Sequence, residues 1–147
     1  DEPKLDRKTF LASQIVYWLL GATDGHAKNF SIHLMPGGRF RLAPLYDVMS
    51  AQPNVDAHQI RLKDYKLAMA VGDNRHYAVN TIVARHYRQI AAKCGIANED
   101  VDEILARLDR SVPRALEQVV AKMPAGFPAA LADSIARGVE KRLALLK

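Results

Sequence analysis

Apolar residues follow two different rhythms along this chain of 147 residues, and the change of rhythm divides it into parts. The run Ile15-Val16-Tyr17-Trp18-Leu19-Leu20 is apolar throughout and predicts a buried core helix within residues 1–22, one able to hold the loop that follows rigidly. A short polar stretch, Gly21 to Asn29, comes next. Phe30, Ile32 and Leu34 then alternate with polar neighbours, which is the period of a half-buried strand. Pro36-Gly37-Gly38 turns the chain, and Phe40 and Leu42 alternate with Arg39 and Arg41 on the way back.

Residues 52–76 are polar and loop-rich, carrying Pro53 and Gly72, with an extended stretch expected at Tyr65-Lys66-Leu67-Ala68-Met69. Long loops of this kind are often functional, so a substrate-docking role and a plain connection are both open. From Tyr77 the period becomes helical: Val79, Ile82, Val83, His86, Ile90, Ala91 and Cys94 recur at three- and four-residue steps, with Gly95 as the stop. Asn98 is expected to cap the next helix, whose apolar face is Val101, Ile104, Leu105 and Leu108. Pro113 is expected to start or kink a third helix bearing Leu116, Val119 and Val120. After a break at Pro124–Pro128, a final helix aligns Leu131, Ile135, Val139 and Leu143. No repeat or composition shift marks a second domain. The expected fold is therefore a single, mainly α domain with a small β-hairpin.

Composition narrows the classes. At 49% hydrophobic the chain can bury a sizeable core, and no apolar run approaches the roughly 20 residues that cross a bilayer. The net charge of +5 is spread along the sequence and favours phosphate-rich partners. No basic stripe is interleaved with aromatic residues, which disfavours direct reading of DNA. The single cysteine, Cys94, forms no internal disulfide, suits a reducing cytoplasm, and reads as a small buried hydrophobe. No paired Cys/His spacing suggests zinc. The sequence opens Asp1-Glu2-Pro3-Lys4, with neither an initiator Met nor a secretory signal, so it is expected to be processed or a fragment.

The polar loop carries the chemistry. Asp24 precedes Asn29 by five residues, and a second acidic residue, Asp47, follows the hairpin. Kinase sites use an Asp to accept or orient the substrate hydroxyl proton, an Asn a little further on to hold a metal ion, and a later Asp on the same metal. An Asp-x-x-x-x-Asn alone is weak, since both residues are ordinary in loops. The order of helix, loop, hairpin and second Asp strengthens it, because two acidic groups and an amide can then converge on one Mg²⁺-nucleotide. His26 and Lys28 sit inside the loop, where contact with phosphate competes with a backbone-bonding histidine and a solvated lysine. His86, on an apolar helix face, reads as a core or boundary histidine, and Trp18 and the tyrosines read as packing groups.

Two blocks identify a family resemblance: Ala22-Thr23-Asp24-Gly25-His26-Ala27-Lys28-Asn29-Phe30-Ser31, and Gly37-Gly38-Arg39-Phe40-Arg41-Leu42-Ala43-Pro44-Leu45-Tyr46-Asp47-Val48-Met49-Ser50-Ala51. With Leu67-Ala68-Met69 further on, they closely resemble the C-terminal lobe of HipA-type serine/threonine kinase toxins of bacterial toxin-antitoxin pairs. The resemblance implies a kinase-like C-lobe, with Asp24 as catalytic base and Asn29 and Asp47 as ligands of Mg²⁺ bridging the ATP phosphates. His26, Lys28 and Tyr46 would line the phosphate end. It also implies a cytoplasmic protein substrate such as an aminoacyl-tRNA synthetase, and a HipB-like antitoxin through which DNA is contacted.

Departures qualify the picture. Thr23-Asp24-Gly25-His26 stands where eukaryotic protein kinases have His-Arg-Asp, and Tyr46-Asp47-Val48 replaces Asp-Phe-Gly. Only 23 residues precede Asp24, with no Gly-rich phosphate loop and no early-strand lysine, so the N-terminal lobe is expected to be absent and the chain inactive alone. Two alternatives remain: a small-molecule phosphotransferase built on the same residues, and a non-catalytic module associated with antitoxin or DNA.

Overall fold

The computed structural model describes residues 2–146 and is mostly helical, with two small antiparallel hairpins where one was expected. Helix α1 (Pro3–Leu20) begins with proline in its first turn, where the missing N–H costs nothing, and carries Asp6 close to its positive end. Its C-terminal half is the core element foreseen from the apolar run. Ile15 and Trp18 are fully buried, and the Trp18 indole Nε1 donates to the Val79 carbonyl at 2.9 Å. The Trp18 ring lies 5.8 Å from that of Tyr87.

Around α1 stand α3 (Ala84–Lys93), α4 (Asn98–Ala121) and α5 (Ala129–Leu143). Tyr87 and Ala91 of α3, Val101, Ile104, Leu105 and Leu108 of α4, and Leu143 of α5 close one core with α1. Lys8 binds Asp100 at 2.7 Å and ties the outer face of α1 to α4.

The chain from 98 to 121 forms one helix, not two. Pro113 lies inside α4 without starting or ending it. An interior proline sacrifices one backbone bond, but Leu108 is buried, Val112 packs against the core, and Leu116 joins an apolar groove with α5. The register therefore runs through. Asn98 is the first residue inside this helix and not its cap; Ala97 precedes it in extended conformation and offers no side-chain bond.

Cys94 is exposed, against the expectation of burial. It follows the last residue of α3, where the chain turns outward toward Gly95, and Ile96 takes the buried position instead. His86 is buried, as expected of a core histidine, and its ring stacks on His76 at 3.9 Å.

The first hairpin pairs β1 (Ile32–Met35) with β2 (Arg39–Leu42) in the register Ile32↔Leu42 and Leu34↔Phe40. These four side chains share a face, and that face is unevenly buried: Leu42 is partly covered, whereas Leu34 departs from the half-burial that the alternation predicts. Ile32 is 52% exposed, Leu34 80% and Phe40 45%. The hairpin is tied to α1 through β2, by Leu42 N–H to the Asp6 carboxylate at 3.2 Å, by Phe40 at a groove it shares with Phe10 and Leu11, and by Phe30 against Phe10 at 4.6 Å, while Leu34 stands out toward solvent.

The second hairpin pairs β3 (Lys66–Val71) with β4 (His76–Ala78). β3 matches the expected extended stretch, whereas β4 occupies residues read as the start of a helical region. Leu67 and Val71 turn inward to the core, and a short helix α2 (Gln52–Asp56) packs on α5.

Candidate functional site

Helix α1 ends where Gly21 adopts a left-handed conformation (φ +62°), with Gly21 N–H on the Trp18 carbonyl and Ala22 N–H on the Tyr17 carbonyl. A side chain at Gly21 would also collide with the Tyr65 hydroxyl, 1.6 Å from the position a Cβ would occupy. The chain is thus released from α1 at one fixed angle, and the loop begins from buried Ala22.

Within the loop, the Asp24 carbonyl collects two donors: the His26 backbone N–H at 2.8 Å and the Asn29 side-chain Nδ2 at 2.5 Å. Asn29 N–H donates to the His26 carbonyl at 2.9 Å, closing a one-turn 3-10 helix over Ala27–Asn29. This commits the nitrogen end of the Asn29 amide to the protein and leaves Oδ1 as the group available to a ligand. The Asp24 carboxylate is exposed, with His26 Nε2 3.5 Å from it. His26 Nδ1 is buried and unpaired with any protein group. Lys28 is exposed.

Asp47 reaches the same end of the molecule through two anchors. On one side, the Tyr46 and Ser31 hydroxyls share a hydrogen bond of 2.8 Å, and Ala43 N–H donates to the Ser31 carbonyl at 2.8 Å. On the other, Ser50 Oγ donates to the Leu20 carbonyl at 2.5 Å and Ala51 N–H to the Gly21 carbonyl at 3.1 Å. Between them Asp47 is exposed and held at φ +51°, a conformation uncommon for residues other than glycine and concentrated at functional sites.

Tyr17 lies beneath the loop. A Cβ on Gly25 would stand 2.5–2.8 Å from its ring, so only glycine fits between ring and loop. Burial raises the affinity of the Tyr17 hydroxyl for its proton, and Tyr46, Asp47 and Asp24 raise it further. Asp24, Tyr46 and Asp47 are therefore all within electrostatic reach of one buried oxygen.

Residues 1–116 match the family model described as the HipA-like C-terminal domain. The chain belongs to that family. The curated "Serine/threonine-protein kinase toxin HipA" of Shewanella oneidensis is 29% identical over 106 residues, covering 72% of this chain and 22% of that protein. A solved Shewanella oneidensis MR-1 complex of HipA, HipB and operator DNA contains a chain that superposes with a TM-score of 0.72 at 25% identity, over 94% of this chain and 30% of that one. The chain thus spans about a fifth to a third of the length of these relatives.

As a HipA-like C-terminal domain, the molecule brings Asp24, His26, Asn29, Tyr46 and Asp47 to one end of α1, with exposed Lys28 in the same loop. Sequence reading missed the buried support beneath them. The Arg142 guanidinium donates to the Leu19 carbonyl at 2.8 Å and to Gln52 Oε1 at 2.7 Å. Gln52 in turn binds Asp56, whose carboxyl is held below its usual range chiefly by the Ser134 hydroxyl at 2.6 Å, against burial and with help from Gln52. The available signal was an arginine one position from Leu143 on an otherwise apolar stripe.

Proposed function

We propose that this domain is the catalytic C-terminal part of an ATP-dependent serine/threonine protein kinase of the HipA toxin type. The observation that carries the reading is the pinned pair of segments: Asn29 locked onto the Asp24 carbonyl, and Asp47 held in a left-handed conformation between the Tyr46–Ser31 and Ser50–Leu20 bonds. Among the described residues no three His, Cys, Asp or Glu side chains form a metal-holding group. The Asn29 amide oxygen and Asp47 carboxylate are a hard-oxygen pair of the kind that suits Mg²⁺, which usually takes one or two carboxylates and completes its shell from substrate phosphates and water.

In this reading Asp24 orients the acceptor hydroxyl and takes its proton. Asn29 and Asp47 hold Mg²⁺, which when bound neutralises charge on the ATP phosphates. His26, Lys28 and Tyr46 face the phosphate end, where positive charge and hydroxyl donors favour the transferring group. The exposed side chains of Ile32 and Leu34 would be covered by an upstream nucleotide-gripping lobe. The acceptor would be a serine of a cytoplasmic protein, an aminoacyl-tRNA synthetase being the type implied by the family. A HipB-like antitoxin, with DNA contacted through it, follows from the HipA–HipB–DNA complex that this chain resembles.

The test is transfer of labelled γ-phosphate by the complete protein, beside Asp24→Asn and Asp47→Asn variants verified as folded. Loss of protein labelling in both supports the reading. Full turnover in either variant sinks it, and labelling of metabolites in place of protein redirects it to a small-molecule phosphotransferase. Undiminished antitoxin binding with no labelling by any form would leave a binding module.

A further inference from the structure

The turn between β3 and β4 is pressed onto α3. Gly72 stands there at φ +77°, where a Cβ would lie 2.9 Å from Gln89 Oε1 and 3.1 Å from atoms of both His76 and His86. Asp73 N–H donates to Gln89 Oε1 at 3.1 Å, and the Asp73 carboxylate binds Lys93 at 2.8 Å; both ties are exposed to solvent. The buried tie is a pair of imidazoles. The His76 ring of β4 stacks on the His86 ring of α3 at 3.9 Å with the planes 17° apart, and His86 is 2% exposed.

The surroundings of His86 leave no place for a second proton on its ring. Val83 N–H faces Nδ1 and Arg85 Nε faces Nε2, each at 3.3 Å, so both ring nitrogens meet donors. A neutral imidazole offers these donors one lone pair and an imidazolium offers none. His86 is also the third residue of α3, at the positive end of the helix dipole, where added positive charge is unfavourable. The charged groups about the pair give no relief. Arg85 on α3 and His76 on β4 both oppose the proton, Asp73 in the turn is engaged by Lys93, and Arg75 in the turn donates to the Tyr77 hydroxyl. The strands behind the turn are anchored independently, by buried Leu67 and Val71 and by the Trp18 indole on the Val79 carbonyl.

We propose that the His76–His86 stack is an acid-sensitive latch: with at most one proton on the pair it holds the β3–β4 turn on α3, and with both rings protonated the like charges part and the turn lifts while the core stays closed. Because opening takes up a proton, the open fraction rises as the pH falls, by about tenfold per pH unit below the titration of the pair.

The test is amide hydrogen exchange in the complete protein, read by mass spectrometry on peptides across residues 71–78 at about pH 7.5 and about pH 5.0, on either side of the ordinary histidine value. Rates are corrected for the intrinsic effect of pH, and exchange at the histidine C2 position follows the two rings in parallel. Wild type is compared with His76→Phe, whose ring keeps the stack without a charge. Protection of the turn is expected to fall by about tenfold or more in wild type on acidification and to hold in His76→Phe. The two wild-type rings are expected to titrate in two separated steps, as a coupled pair does. Turn protection independent of pH in wild type, an equal fall in His76→Phe, or loss of protection across the whole domain at the lower pH overturns the latch. So do two rings titrating as independent groups, a result that decides the matter even where His76→Phe does not fold.

Discussion

Arg142 Nε donates to the Leu19 carbonyl oxygen at 2.8 Å, joining positions 123 residues apart. The bond fixes α5 beneath the point where α1 releases the candidate-site loop. Nη1 of the same guanidinium holds Gln52, just after the segment bearing Asp47, so one buried side chain braces both halves of the site. Arg142→Met would leave the Leu19 carbonyl and the Gln52 amide oxygen without this donor. Gln52 Oε1 keeps the Tyr65 hydroxyl as a donor at 3.2 Å, so the Leu19 carbonyl is the buried acceptor left orphaned, and a loss of about 1–3 kcal/mol is expected. Urea denaturation measures it, and a change near zero would mean that water replaces the guanidinium.

The bracing was invisible in the sequence for a physical reason. Patterns of apolar spacing report which face of an element is buried, but not which distant carbonyl a buried cation meets. What was legible was local: the apolar run at Ile15–Leu20, the turn at Gly37, and the order of Asp24, Asn29 and Asp47. Pro113 starts no third helix because α4 already runs into it from Leu108 and Val112, whose packing on the core overrides the proline's local cost. β4 was missed because three residues, His76–Ala78, are too few to show an alternation. The hairpin face at Ile32 and Leu34 has the pattern of burial without the cover, since periodicity cannot say whether a covering layer lies in the same domain.

Gly25 tests the contact between loop and helix. In Gly25→Ala the added methyl would stand 2.5–2.8 Å from the Tyr17 ring, and ring or loop must shift. Overpacking of this kind costs about 1–3 kcal/mol, and the displaced loop is expected to reduce phosphate transfer more than tenfold. Adding Tyr17→Leu should recover much of the stability by vacating the ring's space, without restoring transfer. Thermal melts and transfer assays on both proteins separate the two effects, and full activity in Gly25→Ala would show that the close approach has no functional weight.

His86 makes stability depend on pH. Burial lowers its pKa below the usual 6.5, and His76 and Arg85 lower it further. Its Nδ1 accepts the Val83 N–H at 3.3 Å, which requires that nitrogen to be unprotonated. The folded state therefore binds fewer protons than the unfolded state in this window. The contribution is fully present above about 6.5 and is lost as the pH falls from there through the folded value. Melting at pH 7.5 and 5.5 should show a fall in Tm on acidification that shrinks in His86→Gln, whose oxygen can still accept from Val83. An equal fall in both proteins would assign the acid sensitivity to other groups.

The exposed Leu34 of the first hairpin gives the last prediction. Leu34 is 80% exposed and its cross-strand neighbour Phe40 is 45% exposed, so replacing Leu34 with Glu removes little buried surface from this domain. Surface substitutions of this type usually change stability by no more than about 0.5 kcal/mol. If an upstream lobe rests on this face in the complete protein, the same carboxylate is forced into an apolar contact there and must be desolvated. Leu34→Glu should then leave the melting of the isolated domain unchanged while lowering the Tm and the Mg-ATP affinity of the complete protein. Melting curves for both lengths, with calorimetric titration of Mg-ATP into the longer, decide it. Equal insensitivity in both would mean that no upstream lobe rests on Leu34.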